Sequence, residues 1–205
     1  MKTTFSTLLA EKGVLLADGA TGTNLFNAGL MSGDAPEIWN DEQPEKIIAL
    51  HQSFVDAGAD IILTNSFGGT KHRLKLHNAQ DRVVELNRKA AEIARGVADA
   101  SGRTIIVAGS VGPTGELFVP LGALTHDDAV AAFADQMEGL KQGGADVLWL
   151  ETISAPEEYR AAAEGFALAG IDWCGTMSFD TAGRTMMGMT SADMGKMVEK
   201  LPNAP

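Results

Sequence analysis

The chain is poor in basic residues and nearly devoid of cysteine. Its 205 residues carry 16 Lys and Arg against 27 Asp and Glu, a formal net charge of -11. Non-specific attachment to nucleic acid or to anionic lipid draws on a basic surface, so this balance excludes both as principal partners. The single cysteine, Cys174, allows no disulfide within the chain and no thiolate-rich metal site built by the chain alone; it suits a reducing cytoplasm. No apolar run approaches the roughly 18 residues of a membrane span. The opening MKTTFSTLLAEKG has an early lysine and a short apolar patch, but Glu11 follows and no cleavage pattern does, so it reads as mature protein rather than a signal peptide.

What the sequence does have is alternation. Hydrophobic residues make up 45% and charged residues 21%, a globular balance with enough chain for a core. Short apolar runs recur at Val14–Ala20, Ile61–Phe67, Thr104–Gly112, Asp146–Ile153 and Trp173–Phe179. They are continuous rather than alternating, the pattern of strands buried on both faces in parallel sheets. Helical stripes lie between them: Ile47, Leu50, Phe54 and Ala57; Val83, Leu86, Ala90, Ile93 and Val97; Val130, Phe133, Met137 and Leu140. Thr125 with Asp128, and Ser154 with Glu157 and with Pro156 in the first turn, read as capping boxes, and a last helix is expected from near Ser191 to about Leu201. AGAD at 57–60 and GGAD at 143–146 form a weak repeat, each with a glycine that ends a helix just before a strand. Repeated βα units fit either a doubly wound sheet or a (β/α)8 barrel, and the pattern alone leaves both open. A full barrel takes ~250 residues, so five units here would be part of one.

The strand ends carry the polar residues. The first run ends at Asp18, followed by GATGTN; the second at Thr64, Asn65 and Ser66; the third at Gly109 and Ser110; the fourth at Glu151 and Thr152; the fifth at Ser178. Carboxyl ends of parallel strands share one face, where α/β folds place their sites. Glu151 follows Val147, Leu148, Trp149 and Leu150, and a carboxylate ending so apolar a run needs a partner or a function. Gly19, Gly22, Gly68 and Gly69 let backbone approach a small ligand, but DGATGTN lacks the lysine of a phosphate-binding loop and the spacing of a dinucleotide fingerprint. Met177, Met186, Met187 and Met189 cluster around the fifth run, where packing is the default role.

DGATGTNLF, AGADIILTNSFGGTKHRLKLH, AGSVGPTGE, GGADVLWLETIS and TMSFDTAGRTMMG follow one another in the order of the homocysteine S-methyltransferase family, which the chain resembles over nearly its whole length. The likeness is greatest to the cobalamin-dependent members and weaker to those that use betaine. It implies a parallel (β/α)8 TIM-type barrel with about the first five βα units present, residues 1–205 being a C-terminally incomplete homocysteine-binding domain. It implies substrate contacts at Asp18, Gly19, Asn65, Ser66, Ser110 and Glu151: Asp18 and Glu151 for the ammonium, backbone near Gly19 and the Ser110 turn for the carboxylate, Asn65 and Ser66 for the pocket floor. Family members hold a zinc ion with three cysteines; none matches here, Cys174 is not at a ligand position, and the zinc segments are expected beyond Pro205. The resemblance further implies homocysteine as substrate, zinc in the full-length parent, and methylcobalamin on a corrinoid-protein partner as methyl donor. Betaine or S-methylmethionine remains open as the donor. A homo-oligomer or a complementary C-terminal fragment is open too, as is a non-catalytic homocysteine- or methionine-binding module. A Schiff-base aldolase is disfavoured, because no run ends in a suitable lysine.

Overall fold

Four of the five apolar runs become strands of one parallel sheet: β1 (Ile61–Leu63), β2 (Ile106–Val111), β3 (Val147–Ile153) and β4 (Trp173–Met177). A computed structural model describes residues 4–168 and 170–201. The strands lie in sequential order, β1-β2-β3-β4, with Ile61 opposite Ile106, Ala108 opposite Val147 and Leu148 opposite Trp173. The order has no reversal of the kind that creates the ligand crevice of doubly wound sheets.

The first run departs from expectation. Within Val14–Ala20 only Ala17 bridges to the sheet, opposite Ile61. Ile61 N–H donates to Leu16 O, and Asp18 N–H to Ile61 O. Continuing the ladder would need Leu63 N–H to reach the Asp18 carbonyl; the Asp18 carboxylate takes that donor instead, at 2.8 Å. At the other end the Leu16 N–H goes to Asp60 Oδ2. Side chains thus replace the main chain on both sides of a single bridge.

Helices fill the connections: α1 (Phe5–Lys12), α2 (Thr21–Asn27), α3 (Trp39–Glu42), α4 (Pro44–Asp56), α5 (Lys71–Leu74), α6 (Val83–Ala100), α7 (His126–Gln142), α8 (Pro156–Ala167) and α9 (Ser191–Val198). The three expected stripes fall on α4, α6 and α7. Thr125 caps α7 by accepting the Asp128 N–H, and α9 starts on a reciprocal box between Thr190 and Asp193. The box expected at Ser154 does not form: Ala155 is the N-cap of α8, without a side-chain cap. Pro156 sits at the first helical position and drives the residue before it into an extended conformation, so the cap falls one place beyond Ser154.

The AGAD and GGAD repeat has a common physical role. Gly58 and Gly144 adopt φ of +101° and +92° and end α4 and α7. The aspartate that follows each glycine caps a neighbouring chain, Asp60 at Leu16 N–H and Asp146 at Val107 N–H.

The largest core lies between β3, β4, α7 and α8, where Phe133, Leu140, Leu148, Tyr159, Phe166 and Trp173 are buried. Phe166 meets Trp173 edge to face, ring centroids 6.0 Å apart. Each such side chain contributes roughly 1.5–3 kcal/mol by leaving water. Met177 and Met189 pack with this core, whereas Met186 and Met187 are exposed. Leu8 of α1 packs with Ile61, Ile106, Ala108 and Val147 in a separate cluster. Among the described residues no helix is long and apolar enough to cross a membrane.

Candidate functional site

Beyond the carboxyl ends of β1, β2 and β3 lies a cavity of ≈ 420 Å³, within the usual range for a small-molecule site of ~300–1,000 Å³. Gly19, Asn65, Ser66, Ser110 and Glu151 line it. Asp18 sits directly behind the wall, fixed to Leu63 N–H. The six expected residues therefore converge on one place.

A hydroxyl relay holds the strand ends together. Ser66 Oγ donates to Ser110 O at 2.7 Å, so its 2.6 Å contact with Thr64 Oγ1 is a hydrogen bond donated by the threonine. Thr64 Oγ1 in turn accepts Ser110 N–H at 3.0 Å. Ser110 Oγ is left to donate to Glu151 Oε1 at 2.5 Å. The Ser110 amide, expected to meet a substrate carboxylate, is thus already committed within the protein. Asn65 has a bracing role as well: its Nδ2 donates to Pro36 O and Asn40 Oδ1, while Asn40 Nδ2 donates to Asn65 O.

A bulge aims Glu151. Pairing of β3 with β4 runs to Leu150 opposite Gly175 and resumes at Ile153 opposite Met177, so β3 holds one extra residue. Thr152 adopts φ +63°, a left-handed conformation costly for a β-branched residue. Such bulges redirect a side chain at the end of a strand.

Asp18 and Glu151 form an acidic, half-buried pair without an ion-pair partner among the described residues. Burial pushes the Asp18 carboxyl up to about 6, the charge of Glu151 adds to the rise, and the Leu63 N–H opposes it. Burial also raises Glu151, against the hydrogen bond from Ser110. A cation between them would relieve both.

The cavity is also lined by residues that the sequence did not single out. Glu37, in a short turn at Pro36–Ile38, is 5% exposed and accepts Gly68 N–H at 2.6 Å. Burial raises its carboxyl, with Arg73 and His77 pulling the other way. Arg73 and His77 line the same cavity. Glu158 was missed too: buried, it takes both the N–H and the hydroxyl of Thr114 and fixes the loop after β2.

Cys174, half-buried on β4, has its thiol pushed up to about 12, first by burial and then by the Glu151 charge. Among the described residues no group of three or more His, Cys, Asp or Glu is placed to hold a metal ion.

The family model described as homocysteine S-methyltransferase matches residues 15–204. The chain belongs to the homocysteine S-methyltransferase family. It is 34% identical over 161 residues to methionine synthase of Mycobacterium tuberculosis, covering 74% of this chain and 13% of that protein. Against methionine synthase of Mycobacterium leprae it is 32% identical over 166 residues, covering 77% and 14%. The chain thus spans a small fraction of those relatives. It superposes on the metallated homocysteine methyltransferase MmuM of Escherichia coli with a TM-score of 0.82 and 26% identity, covering 96% of this chain and 74% of that one. The apo form gives a TM-score of 0.76 and covers 72% of that chain.

Proposed function

We propose that residues 1–205 form a homocysteine-binding domain and supply the amino-acid recognition of an enzyme that methylates homocysteine to methionine. The observation that carries this reading is the pair of half-buried carboxylates, Glu151 lining the cavity and Asp18 beside it on Leu63 N–H, without an ion-pair partner among the described residues. In this reading they receive the substrate ammonium, and backbone near Gly19 receives its carboxylate. Asn65 and Ser66 brace the floor instead of reaching for the ligand, because their donors are spent on Pro36, Asn40 and Ser110. A charge-assisted hydrogen bond to ammonium in such a place contributes roughly 1.5–3 kcal/mol.

The methylation itself is a displacement. The homocysteine sulfur forms a bond to the methyl carbon as the donor's bond to that carbon breaks, and the sulfur must first lose its proton. A free thiol has a pKa near ~8.5 and is mostly protonated at neutral pH. In the family resemblance zinc held by three cysteines supplies that activation. The residues described here do not fit such a site: no metal-holding group forms among them, and burial keeps the Cys174 thiol protonated. Their part is to bind, orient and desolvate the amino acid.

A (β/α)8 barrel is the architecture this reading calls for. The sequential strand order and the MmuM superposition support it. Zinc in a longer parent, a corrinoid-bearing partner and a cytoplasmic setting rest on the sequence resemblance and belong to the same proposal.

Calorimetry with homocysteine and with 4-mercaptobutyrate, which lacks only the amino group, tests the reading. Homocysteine is expected to bind at least about tenfold tighter, the worth of one charge-assisted contact. Equal affinities would remove the carboxylate pair from amino-acid recognition.

A further inference from the structure

Glu158 is a buried acid that amino-acid recognition leaves unused. It is the third residue of α8 and 5% exposed. Its Oε1 accepts both the Thr114 N–H, at 2.8 Å, and the Thr114 hydroxyl, at 2.6 Å. Burial raises its carboxyl, and among the described residues Thr114 alone opposes the rise. A carboxylate held in so dry a place with no cation beside it calls for a function.

Thr114 lies in the loop after β2, a few residues beyond Ser110, and Glu158 lies in the helix after β3, beyond Glu151. The same two βα connections are therefore joined twice, by Ser110 to Glu151 and by Thr114 to Glu158. Ser110 and Glu151 line the cavity, whereas Thr114 and Glu158 stand outside it. The loop after β2 is also tied to the loop after β1, through Gly112 N–H on Phe67 O at 2.9 Å. The Phe67 ring lies so close that a Cβ on Gly112 would stand 2.6 Å from it. Phe67 fixes this loop toward β1, and Glu158 fixes it toward β3.

We propose that Glu158 is a positioning residue: by gripping Thr114 it holds the Ser110 hydroxyl on Glu151, the acid assigned to the substrate ammonium. That assignment rests on the homocysteine reading; the hold on Glu151 does not. The Ser110 hydroxyl is the donor that favours the charged form of Glu151. A hydrogen bond weakens steeply as its geometry is lost, so a small displacement of the β2 end is enough to release the acid. Asp18 on the first run and Cys174 on β4 are the titratable groups that feel the Glu151 charge. Asp18 is bonded to Leu63 and Cys174 to Leu148, so neither belongs to the Thr114 contact.

The test follows the Glu151 carboxyl directly, by carbon-13 NMR titration of the glutamate-labelled chain, its signal assigned by its loss in Glu151→Gln. Glu158→Ala should raise the midpoint by about 0.5–1 pH unit, part of the worth of one hydrogen bond to a charged group. Glu158→Gln keeps an acceptor for both Thr114 donors and should restore most of the wild-type value. Thr114→Val keeps the shape and the N–H; it should give a smaller rise, and it decides the matter if Glu158→Ala does not fold. In a Ser110→Ala background neither substitution should move the midpoint further. Homocysteine binding, read by calorimetry, should weaken about two- to fivefold in Glu158→Ala at pH 6 and less at pH 8. An unmoved midpoint in Thr114→Val and in folded Glu158→Ala, or a rise of the same size without Ser110, overturns the proposal. A raised midpoint with homocysteine binding absent or unchanged leaves the positioning intact and sinks the homocysteine reading alone.

Discussion

Ser110 and Glu151 meet across the ends of β2 and β3, the serine hydroxyl donating to the carboxylate at 2.5 Å. This contact joins the relay of Thr64 and Ser66 to the acid assigned to the substrate ammonium. Ser110→Ala removes the donor that opposes the burial of Glu151, so the Glu151 carboxyl should rise further. Homocysteine binding should weaken about three- to tenfold, and more at pH 6 than at pH 8, because losing the donor disfavours the ionised form of the acid. Calorimetry at both pH values checks this; a loss of equal size at both would assign Ser110 a purely steric role.

Asp18 gives a pH signature of its own. Its carboxyl is raised from 3.8 to about 6 in the folded chain, so the folded state holds the proton more tightly than the unfolded state. Stability is therefore lost as pH rises from near 4 through 6, and the cost is fully present above that window. Asp18→Asn keeps an oxygen for Leu63 N–H and removes the charge. It should stabilise the chain by about 1–3 kcal/mol more at pH 7.5 than at pH 4, after allowance for partial solvation. Urea denaturation of both proteins at the two pH values measures the difference; an equal gain at both would contradict the burial of this acid. Homocysteine binding to wild type should strengthen over the same rise in pH.

Much of this was legible in the sequence because it depends on neighbours along the chain. The continuous apolar runs gave the strands of the parallel sheet, and the strand-end rule brought Asp18, Asn65, Ser66, Ser110 and Glu151 to one face. The AGAD and GGAD glycines carried their turns openly. What stayed hidden depends on distant contacts. Glu37 is buried because Gly68, 31 residues on, donates to it. The first run forms one bridge because Asp18 and Asp60 use their side chains where the main chain was expected. The bulge that turns Glu151 places Thr152 at φ +63°, and no glycine or asparagine marks it.

The loop bearing Ser66 and Phe67 rests on a buried amide network. Gln136 Nε2 donates to Ser66 O, and Asn87 Nδ2 to Gly69 O. A Cβ on Gly69 would stand 2.3 Å from Asn87 Oδ1 and 2.7 Å from Gln136 Nε2. Gly69→Ala should cost about 2–4 kcal/mol, through overpacking and the loss of buried hydrogen bonds. Chemical denaturation reads this directly, and a change below about 0.5 kcal/mol, the size of an ordinary surface substitution, would show that the network gives way freely.

Cys174 should be a slow thiol. With its ionisation pushed up to about 12, alkylation by iodoacetamide at pH 8 should run more than about 100-fold slower than for free cysteine. Mass spectrometry over time gives the rate. Reaction at the free-cysteine rate would mean that the β4 thiol is not held in the apolar setting described here.

The central claim is that the Asp18–Glu151 end of the cavity binds the ammonium of homocysteine. Calorimetric titration of wild type and Glu151→Gln with homocysteine at pH 7.5 tests it most directly. The account predicts saturable one-to-one binding to wild type and a loss of more than about tenfold in Glu151→Gln. Binding of the same affinity in both proteins would contradict it.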